Sequence, residues 1–184
     1  MKKVIINLAV MLTLVATSNF AYSNPVANAT IAVLNLEEIK SSSLAIKNIN
    51  EQIQKKEAEF VAEIEKKSLD LKKQNDQLVK QQSILNEKAM EEKAKEFNNK
   101  VAEAQKDEQN KRTILGTAQM NAFEVVDQAV TKIVNQQAAE NKFTLLMPSS
   151  SLFYFDPKLD ITQDVLKKLN DSLKKVTVKF DNVK

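Results

Sequence analysis

The sequence predicts an α+β fold in which a small body of short strands carries one long, antiparallel, coiled-coil helical arm. The chain has no proline between Pro25 and Pro148, and Gly116 is its only glycine. The long middle segment therefore lacks helix breakers and is rich in Ala, Glu, Lys, Gln and Leu, which favour helix. Short apolar runs typical of strands lie on either side of it, near 30–36, 143–147 and 151–155.

The first residues have the pattern of a secretory signal peptide. Met1, Lys2 and Lys3 form a positive start, an apolar run follows from Val4 to Ala16, and small residues flank Tyr22. This pattern predicts a signal peptide over 1–23, cleaved after Ser23, and a mature chain that is exported. The alternative is an uncleaved segment that anchors a structural or adaptor coiled coil in the inner membrane.

Composition excludes several classes of function. The chain has no Cys and no His, so zinc sites, thiol nucleophiles and histidine bases are not expected. A single glycine also argues against a phosphate-binding loop. Removal of 1–23 takes away Lys2 and Lys3 and lowers the net charge from +3 to +1, and Arg112 is the only arginine. We therefore expect no enzyme, no cofactor and no nucleic-acid partner; a hydrolase that uses carboxylates alone ranks last.

An association body is predicted from 24–43 and 140–184. It would contain the three strands, with Pro148 to Ser151 as a hairpin loop, and a helix near 162–174 that is capped by Thr162. Three short strands and one small helix cannot bury both faces of a sheet, so self-association through the strands is expected. The residues predicted to form this oligomeric body are Ile31, Val33, Leu34, Leu145, Leu146, Phe153, Tyr154 and Phe155.

The arm is predicted over 44–139 as a helical hairpin with its tip near 81–86. Polar residues crowd the tip, and Asn86 followed by Glu87 suits a helix start. A coiled-coil seam needs apolar residues at alternating steps of three and four. In the first helix the predicted seam is Ile64, Leu71, Leu78 and Leu85 with partners Val61, Ser68, Asn75 and Gln82. In the second it is Ala94, Phe97, Val101, Ala104, Glu108, Lys111, Leu115, Ala118, Ala122, Val125 and Ala129.

Several short motifs resemble those of one known family. They are the opening run Ile31-Ala32-Val33-Leu34-Asn35, Asn86-Glu87 at the returning helix, Val126-Asp127-Gln128-Ala129-Val130, Leu152-Phe153-Tyr154, and the closing run Leu159-Asp160-Ile161-Thr162 with Asp164-Val165-Leu166. Together they resemble the Skp/OmpH family of periplasmic chaperones over about Ile31 to Asn170. The resemblance implies a homotrimer whose strands form a central barrel, with three arms that enclose unfolded outer-membrane proteins without using ATP. It also implies lipopolysaccharide or an anionic membrane surface as a further candidate partner.

The arm offers candidate sites for such a function. Apolar residues outside the seam are candidate client contacts, or else incidental surface residues. They are Leu69, Val79, Ile84, Met90 and Met120. Gly116 is a candidate hinge, or else a glycine that the helix tolerates. Polar seam positions either make the arm bend or set its register.

Overall fold

A computed structural model describes residues 29–181, and the predicted signal peptide, 1–23, lies outside the described residues. The chain is mostly helical, with two long helices and one pair of short strands. In order, the elements are β1 (Ile31–Leu34), α1 (Leu36–Ser42), α2 (Leu44–Gln81), α3 (Glu87–Asn141), β2 (Leu145–Pro148) and α4 (Thr162–Ser172). The α+β class is thus present in a single chain, in which helix far exceeds strand.

The two strands pair in parallel, with Ile31 opposite Leu145 and Leu34 opposite Pro148. The predicted strand near 151–155 and its hairpin loop are wrong for this chain. Ser149–Ser151 form a 3-10 turn, and Leu152 to Phe155 pair with no strand among the described residues. The arm provides the long connection that the parallel pair requires, and the described residues of one chain contain no neighbouring strand for the next apolar run.

The body is fastened by side chains that bind distant backbone groups. Thr162 was predicted to cap α4, but it is the first residue of that helix and is buried, and its hydroxyl oxygen accepts a hydrogen bond from the Asn35 amide at 2.8 Å. The side chain of Asp160 accepts from the Thr162 amide at 2.8 Å. The Asn170 side chain likewise accepts from the Leu44 amide at 2.8 Å. The bonds at Thr162 and Asn170 join α4 to the starts of α1 and α2, whereas the Asp160 bond is local and fixes the start of α4.

The hydrophobic core lies where the base of the arm meets the body. Apolar side chains of β1, α1, the first turns of α2, the second half of α3 and α4 pack together there. Each fully buried aliphatic side chain contributes about 1.5–3 kcal/mol relative to exposure. The most buried members are Leu34, Ala45, Ile49, Val126, Val165 and Leu169.

The segment after α4 is packed against the arm base. Val176 and Val178 are buried, and Phe180 packs partly against the same core. The Gln52 amide group donates to the Val176 carbonyl at 2.7 Å and accepts from the Val178 amide at 3.2 Å. A side chain on α2 therefore hydrogen-bonds backbone groups of the extended tail, as a neighbouring strand would.

The two long helices form the arm. Their 38 and 55 residues correspond to about 57 Å and 82 Å at 1.5 Å per residue. Residues 82–86 connect them, within the range 81–86 predicted for the tip. The second helix ends at Asn141, two residues beyond the predicted Ala139. The next residue, Lys142, adopts the left-handed conformation at φ 54°. Glycine usually occupies such a position, so the sequence lacks the common signal for this helix end.

Candidate functional site

The arm is the candidate site, and its helices begin at side-chain caps. The Ser43 hydroxyl accepts a hydrogen bond from the Ile46 amide at 3.4 Å at the start of α2. The Asn86 side chain accepts from the Ala89 amide at 2.9 Å at the start of α3, as its position in the sequence predicts. Between them the Leu85 amide donates to the Gln81 carbonyl at 3.0 Å and closes the turn. The tip is therefore a defined turn without glycine or proline.

Polar pairs join the two arm helices at a regular spacing. A step of seven residues forward along α2 matches a step of seven back along α3, as expected for antiparallel coiled-coil helices. We call these pairs the polar rungs. They are Lys67 with Asp107 at 2.6 Å, Gln74 with Lys100 at 2.9 Å, and Gln81 with Lys93 at 2.7 Å.

The α2 side of the seam has one apolar row and one largely polar row. The predicted apolar row, Ile64, Leu71, Leu78 and Leu85, is half-buried. Its predicted partners were wrong: Val61, Ser68, Asn75 and Gln82 are exposed. The row that faces α3 beside the apolar row instead lies one residue before these predicted partners. It consists of Phe60 followed by the α2 members of the polar rungs, Lys67, Gln74 and Gln81.

On α3 every position of the predicted seam except Val125 is at least half-buried. Ala94, Phe97, Val101 and Ala104 are half-buried. Towards the body the buried face widens: Lys111, Ala118 and Ala122 of the predicted seam are buried, and Ile114, Val126, Val130 and Ile133 beside it are buried as well. The predicted Leu115 and Ala129 are half-buried there. A nearly straight α-helix drifts by about 20° per heptad from a strict seven-residue repeat, and here α3 packs on the body as well as on α2.

Burial separates the arm from its base. No residue from 50 to 110 is buried, although this stretch contains most of α2 and almost half of α3. The seam residues within it reach at most half-burial. The distal arm therefore has no closed core, and its helices depend on local propensity, caps, the shallow apolar row and the polar rungs.

Lys111 closes the lower end of this exposed region. Its side chain is 10% exposed, and its ammonium lies 2.7 Å from Asp107 and 3.1 Å from Glu63 across the seam. It also lies 5.4 Å from the centre of the Phe60 ring. We call these four residues the basal clamp. Asp107 and Lys111 are identifiable in the sequence as an i,i+4 pair, but the link to Glu63 and Phe60 requires the tertiary structure.

The clamp shifts the pKa values of both charged partners. Hydrogen bonding to Asp107 raises the pKa of Lys111 against the opposing effect of its burial. Hydrogen bonds from Lys111 and Lys67 lower the pKa of Asp107. Both groups are therefore held in their charged forms at neutral pH.

Four of the five candidate client contacts are exposed. Leu69 and Val79 are each 61% exposed, Ile84 80% and Met120 65%. Met90 differs from the others because it is half-buried behind the tip turn. Gly116 lies on the exposed side of α3, which continues through it without interruption, and a methyl group at this position would meet nothing within 4 Å.

The residues predicted for the oligomeric body divide into two groups. Val33 and Leu34 are buried within their own chain, and Leu146 and Phe155 are half-buried. By contrast, Phe153 and Tyr154 are almost fully exposed, and Ile31 and Leu145 are partly exposed. An exposed pair of aromatic side chains beside a short sheet is uncommon on an isolated chain surface.

The arm surface contains a groove beside the seam, and the described part of the chain contains no recognisable metal cluster. The groove has a volume of about 740 Å³. Leu71 and Ala104 form part of its lining, together with Lys67, Gln74 and Lys100 of the polar rungs. Within 29–181, none of the helices combines the length and the apolar character needed to cross a bilayer.

Comparison with known proteins identifies the family. A comparison with curated proteins gives no match. The crystal structure of a candidate outer membrane chaperone (OmpH-like) from Caulobacter crescentus CB15 has the same fold, with a TM-score of 0.77 and 18% sequence identity. The match covers 85% of this chain and 93% of that one. The family model described as outer membrane protein (OmpH-like) matches residues 30–169, and the chain therefore belongs to the OmpH-like family, as its motifs predict.

Proposed function

We propose that this protein is an ATP-independent periplasmic holdase that binds unfolded outer-membrane proteins between its arms and prevents their aggregation. The observation that carries the proposal is the absence of any buried residue from 50 to 110 in a long helical hairpin. A hairpin of this kind extends away from the body and leaves its side chains available to a client. Family membership and the fold shared with a candidate outer membrane chaperone support the same function.

The proposed assembly is a homotrimer whose strands complete a small barrel. Support comes from the apolar groups that the body leaves exposed, above all Phe153 and Tyr154. Burying two such aromatic side chains in a neighbouring copy would remove a large apolar area from water. Sedimentation of the mature chain should give a trimer, and Phe153→Ser with Tyr154→Ser should give smaller species. A folded monomer from the unmodified chain would contradict the trimer.

Client binding in this proposal is weak and distributed. The exposed Leu69, Val79, Ile84 and Met120 are separated along the arm, so each would bind one apolar side chain of the client. Many small contacts hold an extended chain without fixing its conformation, and release needs no nucleotide. Lysines along the arm would add attraction to lipopolysaccharide or to an anionic membrane, which flotation with anionic and neutral vesicles can compare.

The test is suppression of aggregation of an outer-membrane barrel protein diluted from urea, followed by turbidity and by the mass of the complex. The sharpest variant deletes 68–81 together with 93–106. Each deletion removes two heptads, so the seam phase and the native turn are retained while the arm shortens by about 21 Å. We expect an intact trimer with much weaker suppression. Full suppression by this variant would show that the arm is not the holding site.

A second variant pair tests the individual contacts. Serine at Leu69, Val79 and Ile84 should raise the concentration needed for half-suppression several-fold. The matched control carries serine at Gln77, Gln82 and Gln105, which are also exposed arm residues, and it should behave as the unmodified chain. Equal suppression by both triple variants would remove these apolar residues from the mechanism.

Export and cleavage after Ser23 are part of the proposal and concern residues outside the described range. Mass spectrometry of the protein from periplasmic extract should give a chain that begins at Asn24. A chain that begins at Met1 in the membrane fraction would instead support the anchored coiled coil.

A further inference from the structure

The apolar surface of the distal arm is distributed unevenly. Outside the seam, the exposed apolar residues between 60 and 107 stand apart from one another. The continuous apolar surface is the seam itself, formed by Ile64, Leu71, Leu78 and Leu85 of α2 with Phe97 and Val101 of α3. None of these side chains is fully buried, so water already reaches the edges of the row.

The contacts that hold this row closed are polar and accessible to water. Each polar rung pairs a lysine ammonium with a carboxylate or an amide oxygen, and all three are exposed. Such pairs are weak because water competes for both partners and salt screens the charges. Because the interface between the two arm helices has one apolar row and one polar row, we expect the helices to separate easily.

The basal clamp ends the weak region. Below it both helices enter the core, where Ile49, Ile114 and Ala118 are buried. Lys111 is itself buried and bridges the helices through Glu63, with Asp107 as its second partner. Separation that starts at the tip would therefore stop at the clamp and leave the body intact.

We propose that the arm helices separate between 64 and 107 and that the opened apolar row binds an apolar segment of the unfolded polypeptide. This inference rests on the proposed holdase function and assigns its main binding surface. The occupant is an extended chain with apolar residues at intervals, because the row presents one large side chain per heptad beside lysine and glutamine groups. Those groups lose their rung partners on opening and become free to hydrogen-bond the backbone of the occupant.

Cross-linking the helices tests this directly, since the chain has no cysteine of its own. Gln74→Cys with Lys100→Cys places one thiol on each member of a polar rung. A short bismaleimide with an internal disulfide then closes the arm, and a reducing agent reopens it. We expect the closed trimer to lose most of its suppression of turbidity and to regain it after reduction. The single variants treated with the same reagent are the controls.

Seam variants give a second, independent measurement. Gln74→Leu with Gln81→Leu makes the distal part of the second row apolar and should slow amide hydrogen exchange in 64–107 while weakening suppression several-fold. The matched control, Gln54→Leu with Gln77→Leu, adds the same side chains at exposed positions outside the seam and should suppress at least as well as the unmodified chain. Unchanged exchange in the seam variant would overturn the inference.

The outcomes separate this inference from the function on which it rests. If the unmodified chain does not suppress turbidity, the holdase proposal itself fails. If the unmodified and the closed trimers suppress equally, the holdase proposal stands and the separation of the helices is refuted. Loss on closing and recovery on reduction support both.

Discussion

Replacement of Lys111 by methionine and by alanine should separate the packing of its stem from its ion pairs. The side chain is buried at the boundary between core and arm, beside Phe60, and its ammonium pairs with Asp107 and Glu63. Alanine removes three methylene groups, which at about 0.8 kcal/mol each amounts to about 2.4 kcal/mol. The ion pairs add about 1 kcal/mol, because the Glu63 carboxylate is exposed and the Asp107 carboxylate is partly exposed to solvent.

We therefore expect Lys111→Ala to lower the free energy of unfolding by about 3 kcal/mol and Lys111→Met by about 1 kcal/mol. The assay is urea unfolding followed by far-ultraviolet circular dichroism at one fixed protein concentration, because assembly makes the midpoint depend on concentration. If methionine is as damaging as alanine, the charge and not the stem stabilises this position. If neither substitution changes the free energy of unfolding, the basal clamp does not stabilise the boundary between core and arm.

The same variants have a predicted pH dependence. The pKa of Asp107 is lowered in the folded chain from its usual 3.8, so its stabilising contribution is complete above about pH 4 and is lost as pH falls through the lowered value. The pKa of Lys111 is raised from 10.5, so its contribution is complete below that value and is lost at higher pH. The difference in stability between the unmodified chain and Lys111→Met should therefore be constant near neutrality and shrink at acid pH.

Substitutions at three further positions test the body and the arm base. Thr162→Val should cost about 1–3 kcal/mol in the same unfolding assay, because the Asn35 amide loses its acceptor, whereas Thr162→Ser should retain most of the stability. Gln52→Ala should accelerate amide hydrogen exchange at 176–180 and leave exchange in α4 unchanged. If exchange at 176–180 is as slow in the variant as in the unmodified chain, Gln52 does not hold the tail. Gly116→Ala should raise the free energy of unfolding by up to about 1 kcal/mol, because the site is helical and has space for a methyl group. Weaker suppression of aggregation despite this higher stability would support a hinge at Gly116.

The arm could be predicted from the sequence because its signals are local. Ser43 and Asn86 cap the helices, and the absence of helix breakers between the caps leaves one hairpin. The recurrence of Ile64, Leu71, Leu78 and Leu85 is also a local signal. A helix in the body was missed although its signal is present: the Asn35 side chain caps α1 by accepting a hydrogen bond from the Glu38 amide at 3.1 Å, and two acidic residues occupy the first turn.

What the sequence could not predict depends on partners. The apolar row has two flanking rows at heptad spacing, one with Val61 and one with Phe60, and both continue in polar residues. Which row faces α3 depends on the rotational phase of the other helix, and no local rule fixes that phase. The run Leu152 to Phe155 has the composition of a strand, but a strand needs a neighbour, and a single chain does not provide one.

Because the buried residues lie at the arm base and the exposed ones in the distal arm, we expect substitutions to change stability and the proposed client binding independently. Residues that are fully buried, such as Ile49, Val126 and Leu169, belong to the core at the arm base. Changes there act on folding and assembly, because each removes apolar burial that the small body cannot replace. Changes between 60 and 107 remove no closed core and act on how the helices pair. The proposed holdase function requires this division, since the surface that would yield to a client must do so while the body that fixes the arms stays folded.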